Sequence, residues 1–202
     1  LSDPEKMTSA QWHFAGPTRP VEELYDCQVD PQNLKNLADS EAHQKILKRL
    51  RNAHRKHITQ TVDLGFLPES EAWEMFAKQT GWELGQGGHV NMGPIQRAAA
   101  QVGTADETAL VKNLQSKNAS IRYWAALGLA HHQELRLETK QQLRKVLTDP
   151  SPAVRIEVAN TLVRAGDPNP ALRALIKELA HENLIIVTHA ARTIELLGPR
   201  AI

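Results

Sequence analysis

Ile121-Arg122-Tyr123-Trp124-Ala125-Ala126-Leu127-Gly128-Leu129 decides how the rest of the chain is read, because its register returns twice downstream. Leu110, Leu114, Arg122, Ala126 and Leu129 recur 33 residues later as Leu143, Leu147, Arg155, Ala159 and Leu162. A third copy follows after 32 more with Leu175, Leu179, Ala191 and Ile194, and Ile121, Val154 and Ile186 keep the same step. Each copy predicts a helix, a short turn and a second helix, over about 106–131, 136–165 and 170–198. Alanines at recurring positions let helices approach closely, while Leu and Ile fill the layer between neighbouring pairs. One helix pair cannot bury both of its faces, so stability requires a stack, which predicts a mainly α superhelix.

Local punctuation agrees with that reading. Thr104 with Glu107 has the spacing of a capping box, Ser151-Pro152 reads as N-cap and first helical residue, and Asn169-Pro170 reads as the same device. Gly166 and Gly198 stand where helices should stop. An incomplete helix over Pro94-Ile95-Gln96-Arg97-Ala98-Ala99-Ala100 precedes the first copy.

Upstream the texture differs. Residues 1–40 carry Pro4, Pro17, Pro20 and Pro31 and little periodicity, so they read as extended chain and turns. The polar opening Leu1-Ser2-Asp3-Pro4-Glu5 reads as a loop in a piece cut from a longer protein. From Glu41, the positions Ala42, Ile46, Leu50, Ala53 and Ile58 recur at helical spacing, with basic residues on the other faces, predicting an amphipathic helix over 41–58. A further helix is expected after Pro68, around Ala72-Trp73 and Met75-Phe76. Gly81, Gly85, Gly87, Gly88 and Gly93 are too many for a regular element and mark the best internal boundary. The expected division is 1–60, a connector over 61–93, and repeats over 94–202.

Composition removes several function classes. The 24 Lys and Arg against 23 Asp and Glu, net +1, give little attraction for nucleic acid or an anionic membrane. No stretch approaches the roughly 20 apolar residues of a membrane helix. The single cysteine, Cys27, cannot form an internal disulfide and leaves the compartment open. Seven of the nine aromatics fall before residue 83, which leaves the repeats to pack with Ala and Leu.

The repeats resemble the HEAT family of α-solenoids, whose pattern puts an Asp in the turn between helices and an Arg early in the second helix. Asp149 and Arg155 match it in the middle copy; the first copy has Ser116 with Arg122 and the third His181 with Val187. The resemblance therefore implies a polar ladder of Asp149, Arg122 and Arg155 that is complete once.

A second resemblance lies in Glu22-Glu23-Leu24-Tyr25-Asp26, Asp30-Pro31-Gln32-Asn33 and Asn36-Leu37-Ala38, followed by the basic helix. This segment is similar to the closing part of the sulfatase family, with Cys27 where Leu is usual and Gln32 where an acid is common. Asp63-Leu64-Gly65-Phe66-Leu67-Pro68-Glu69 and the Ile121–Leu129 run resemble tails of bacterial sulfatases that carry helical repeats. The resemblance implies a short strand at Leu24-Tyr25 from the sulfatase C-terminal subdomain. It also implies a parent that hydrolyses sulfuric esters, with formylglycine and a divalent metal, calcium by analogy, in an upstream catalytic domain. By the same analogy the parent is periplasmic or secreted.

The residues themselves offer no catalytic set. Cys27 sits in Cys27-Gln28-Val29-Asp30-Pro31, which lacks the Pro and Arg of the family's Cys/Ser-x-Pro-x-Arg motif, and reads as an ordinary packed side chain. His54 with His57 and His131-His132 invite zinc, yet no Cys cluster or His-Glu-x-x-His accompanies them, and His89 and His181 sit in loop-like surroundings. Gly85-Gln86-Gly87-Gly88 lacks the Lys-Ser/Thr of a phosphate loop. An anion- or partner-binding face is the remaining candidate, carried by Lys45, Lys48, Arg49, Arg55 and Lys56 with no acid among them. The expected function is that of a non-catalytic C-terminal part of a sulfatase, whose repeats serve protein interaction, assembly, self-association or substrate positioning. The alternative is a stand-alone interaction scaffold. Nucleic-acid binding through the basic face is the weakest reading, because acids balance bases over the chain and stacking aromatics are scarce.

Overall fold

The apolar register forms helices where the repeats place them. The computed structural model describes residues 6–16, 19–88 and 90–201, the side chain of Ala201 excepted; Leu1–Glu5, Pro17 and His89 lie outside them. Among the described residues there are eleven α-helices and no strand. They are α1 Ser9–Ala15, α2 Gln44–Thr61, α3 Glu69–Phe76, α4 Gly81–Gln86, α5 Met92–Ala99, α6 Glu107–Asn113, α7 Ala119–Leu129, α8 Leu137–Val146, α9 Pro152–Arg164, α10 Pro168–Glu178 and α11 Leu184–Leu197. The chain falls into two compact units, Leu1–His57 and Ile58–Ile202.

The second unit contains an α-solenoid of three helix pairs, α6/α7, α8/α9 and α10/α11. Its central helix is α9, which packs against α7, α8, α10 and α11 and buries nine of its thirteen residues. One continuous core joins Leu110 and Leu114 of the first pair, Leu143, Val154, Ile156, Val158 and Leu162 of the second, and Leu175, Ile186 and Ala190 of the third. Each buried Leu, Ile or Val contributes roughly 1.5–3 kcal/mol. Gly128 lets α7 approach α6 closely: a Cβ there would lie 2.8 Å from Leu110 Cδ2, and that buried side chain would have to shift. At the end of α9, Gly166 takes φ +80° and the Asp167 N–H returns to the Leu162 carbonyl at 2.9 Å, a Schellman stop.

The third copy departs from the register. Ala191 is exposed and Ile194 half-buried where Ala159 and Leu162 are fully buried, because no further helix pair among the described residues covers that side.

Two predicted caps move. Asp106, not Thr104, caps α6 by accepting from the Ala109 N–H at 2.8 Å, while the Thr104 hydroxyl donates to the Ala100 carbonyl. Helix α10 begins at Pro168, two residues before Pro170, since the φ-locked ring is already suited to a first turn. Ser151-Pro152 opens α9 as expected, with the Val154 N–H donating to the Ser151 hydroxyl.

A second core, Ile58, Leu67, Ala72, Met92 and Ile95, seats α5 against α7 as a half-pair ahead of the repeats. The glycine-rich stretch expected to be irregular contains α4 and the start of α5. Thr80 and Glu83 form a reciprocal capping box there, which offsets the low helix propensity of Gly81 and Gly85.

In the first unit the expected strand at Leu24-Tyr25 is absent. Its backbone groups are taken by Asn36 and Leu37: the Leu24 N–H donates to Asn36 Oδ1 at 2.9 Å, Asn36 Nδ2 donates to the Glu22 carbonyl at 3.0 Å, and the Leu37 N–H donates to the Leu24 carbonyl at 2.7 Å. A side-chain amide thus does locally what a neighbouring strand would do through a ladder. Cys27, expected to be packed, is exposed in the turn that follows. The amphipathic helix forms, but Ala42, Ile46, Leu50 and Ala53 are exposed, and Leu47 is the residue buried on this part of it.

Candidate functional site

Arg122 and Arg155 organise the repeats. Arg122 Nε and Nη2 each donate to the Asp149 carboxylate at 2.7 Å, and its Nη1 donates to the Ser116 carbonyl. Arg155 repeats the fork one copy on, donating to Glu178 at 2.7 and 2.9 Å and to the Asp149 carbonyl. Each arginine reaches the acid of the next copy. The third copy has Val187 at this position, and Glu178, from the first helix of that copy, takes the acid's part. These forks fix spacing between pairs.

A cavity lies elsewhere in the same unit. Helix α3 packs across α9 and α11. The Trp124 indole donates to the Phe66 carbonyl at 2.8 Å, the Phe66 and Trp124 rings are 6.4 Å apart, and the Ser151 hydroxyl donates to Glu71. The second-helix face of the stack is therefore partly covered by the chain's own segment 64–76. Between α3, α7 and α11 remains a cleft of about 490 Å³, lined by Glu69, Ser70, Tyr123, Leu184, Ile185, Thr188, His189 and Arg192. The α11 residues fall at spacings of one, three and four, one face of a helix.

Behind the α11 lining lies a largely buried polar group. His189 Nε2 is 3.0 Å from Glu157 Oε1, and the other oxygen of this 6 % exposed carboxylate accepts from Asn160 at 3.2 Å. Burial first, and the Glu157 charge second, push the Tyr123 phenol above its ordinary range, so it stays a neutral donor. Ser70 is 4 % exposed, and its hydroxyl has no hydrogen-bond partner, alone among the buried side-chain polar atoms described. Leaving a buried hydroxyl unpaired costs about 1–3 kcal/mol. At the rim Arg192 pairs with Glu195, Glu69 is exposed, and Leu184 is 77 % exposed.

Serine, histidine and glutamate in one cleft do not make a nucleophilic triad here. The Ser70 hydroxyl bonds to nothing, so no base activates it. Among the described residues no three His, Cys, Asp or Glu side chains converge to hold a metal ion. The arrangement is suited to binding.

The sequence candidates Lys45, Lys48, Arg49, Arg55 and Lys56 are all exposed along α2, and the neighbouring Arg51 is engaged by Glu22. Of the histidines, His54 and His57 are exposed, and His131 Nδ1 meets the Leu127 carbonyl. Sequence reasoning missed the cleft. Its one trace was Glu157, a lone acid between Ile156 and Val158.

Residues 107–195 match the family model of HEAT repeats. The matched segment coincides with the three helix pairs, from the first residue of α6 to within α11. Over 66 residues the chain is 39 % identical to the Ulvan-active sulfatase of Formosa agariphila; the match covers 33 % of this chain and 11 % of that protein. No solved structure matches. No helix among the described residues is long and apolar enough to cross a membrane.

Proposed function

We propose that the chain is a HEAT-repeat interaction module from the C-terminal part of a sulfatase, working in assembly or substrate positioning rather than in ester hydrolysis. The observation that carries this reading is the repeat stack with a cleft on its second-helix face, and a partial match to a sulfatase over 66 residues supports it. Sulfate transfer needs a strong nucleophile and cations around the sulfate oxygens. The cleft offers an unactivated serine and a histidine held by a buried carboxylate instead. Formylglycine and calcium would belong to an upstream catalytic domain. The basic residues Lys45, Lys48, Arg49, Arg55 and Lys56 would give the module a weak, salt-sensitive hold on an anionic partner surface or sulfated polymer.

The test is turnover. Purified chain incubated with 4-methylumbelliferyl sulfate and with ulvan should release no sulfate above a heat-denatured control; release above it overturns the reading. A Cys/Ser-x-Pro-x-Arg motif encoded upstream would support the sulfatase parent, and an upstream region without a hydrolase would favour the stand-alone scaffold.

A further inference from the structure

We infer that the cleft between α3, α7 and α11 anchors a lysine or arginine side chain of a partner polypeptide, which deepens the interaction reading above and rests on it. Glu69 is the acid that lines the cleft, and two more carboxylates stand behind its lining, Glu157 against His189 and Glu195 against Arg192. Against them stand Arg192, already paired with Glu195, and His189, whose Nε2 is engaged by Glu157. The balance favours a cation and opposes an anion.

The shape has the two halves such a side chain needs. Leu184 and Ile185 form an aliphatic wall for the methylene stem, and the exposure of Leu184 leaves room for a neighbouring apolar residue of the partner. Tyr123 lies on the floor as a neutral ring, 6.4 Å from the imidazole of His189, and its face can meet a cationic head. The Ser70 hydroxyl lies in the cleft wall, buried and unpaired, and a small shift of that wall would offer it as acceptor to an incoming N–H. A bound guanidinium or ammonium would satisfy the one orphaned hydroxyl described and add charge-assisted bonds at the rim. A neutral sugar would use the hydroxyl and the ring but leave the acidic excess unused, and a sulfated one would be opposed by it.

The test is an NMR titration of the whole chain, following backbone amide shifts. Four probes are compared: Ac-Ala-Leu-Arg-Ala-NH2, the same peptide with norleucine in place of Arg, the same with Glu, and methyl β-D-glucuronide. The arginine peptide should shift Ser70, Tyr123 and His189 in a saturable manner, the Glu peptide and the glucuronide should not, and norleucine should bind at least several-fold more weakly. Glu69→Gln, at an exposed position that leaves the fold intact, should weaken the arginine peptide about two- to fivefold, the worth of an exposed ion pair. Ser70→Ala should weaken it further without loss of Tm. Equal binding of the arginine and norleucine peptides, arginine-peptide shifts that map outside the cleft, or a glucuronide that binds there would overturn the assignment. Sulfate release by the chain would sink the broader reading instead, so the two failures are distinct.

Discussion

The two units hold their backbones by different means. In Leu1–His57 the chain between Glu22 and Ala38 is tied by one amide: Asn36 accepts from the Leu24 and Ala38 N–H groups and donates to the Glu22 carbonyl. Ala38 and Leu47 are the buried apolar residues described there. In Ile58–Ile202 apolar layers from three helix pairs close on one another, with forked arginine pairs between successive pairs. The same chemistry, an arginine on a carboxylate, occurs in both as Arg51 with Glu22 and Arg155 with Glu178. Its worth differs because water reaches the first pair and is nearly excluded from the second, where Glu178 is 2 % exposed.

The sharpest way to break that contrast is Arg155→Ala, which strands Glu178 in the core and should cost about 3–5 kcal/mol by urea unfolding. A loss under 1 kcal/mol would mean that the buried and exposed pairs are alike. Next is Leu162→Ala, which empties a fully buried site in the central helix and should cost about 2–5 kcal/mol. Asn36→Ala should cost about 1–3 kcal/mol, confined to the first unit: limited proteolysis within residues 19–43 should quicken while the unfolding of the repeats is unchanged.

Tyr123 gives a pH signature peculiar to the second unit. Its folded phenol is raised above the unfolded value of about 10, so the unfolded state ionises first. The stability it contributes is complete below about pH 10 and lost as the pH rises beyond it. Urea midpoints of the wild type minus those of Tyr123→Phe should therefore fall between pH 9 and 11, and a flat difference would contradict the burial assigned to this phenol. The smallest effect is expected from Arg51→Ala, about 0–1 kcal/mol and vanishing in high salt.

Much of the second unit was legible in the sequence because its apolar step of 33 and 32 residues admits few packings. Ser151-Pro152 and Gly166 punctuate it by backbone chemistry that needs no tertiary context. Legibility failed where a local signal had a nearby competitor. Thr104 has the spacing of a cap, but Asp106 stands closer to the helix and takes the role. Glycines at 81 and 85 argue against a helix, yet the Thr80–Glu83 box starts one. Leu24-Tyr25 reads as a strand because hydropathy does not reveal that Asn36, twelve residues on, will occupy its hydrogen bonds. The cleft was least visible of all. Ser70, Tyr123, Glu157 and His189 are distant in sequence and share no motif; they converge because α3 crosses the second-helix face, a placement fixed by the Trp124 indole on Phe66 and by Ser151 on Glu71.

That placement is the central claim, since without it the cleft has no wall and Ser70 no burial. Hydrogen exchange read by mass spectrometry tests it directly. Amides of Ala72–Phe76 should be protected nearly as long as those of α7 and α11 and far longer than those of residues 19–40. Exchange in Ala72–Phe76 as fast as in 19–40, with the repeats still protected, would contradict it.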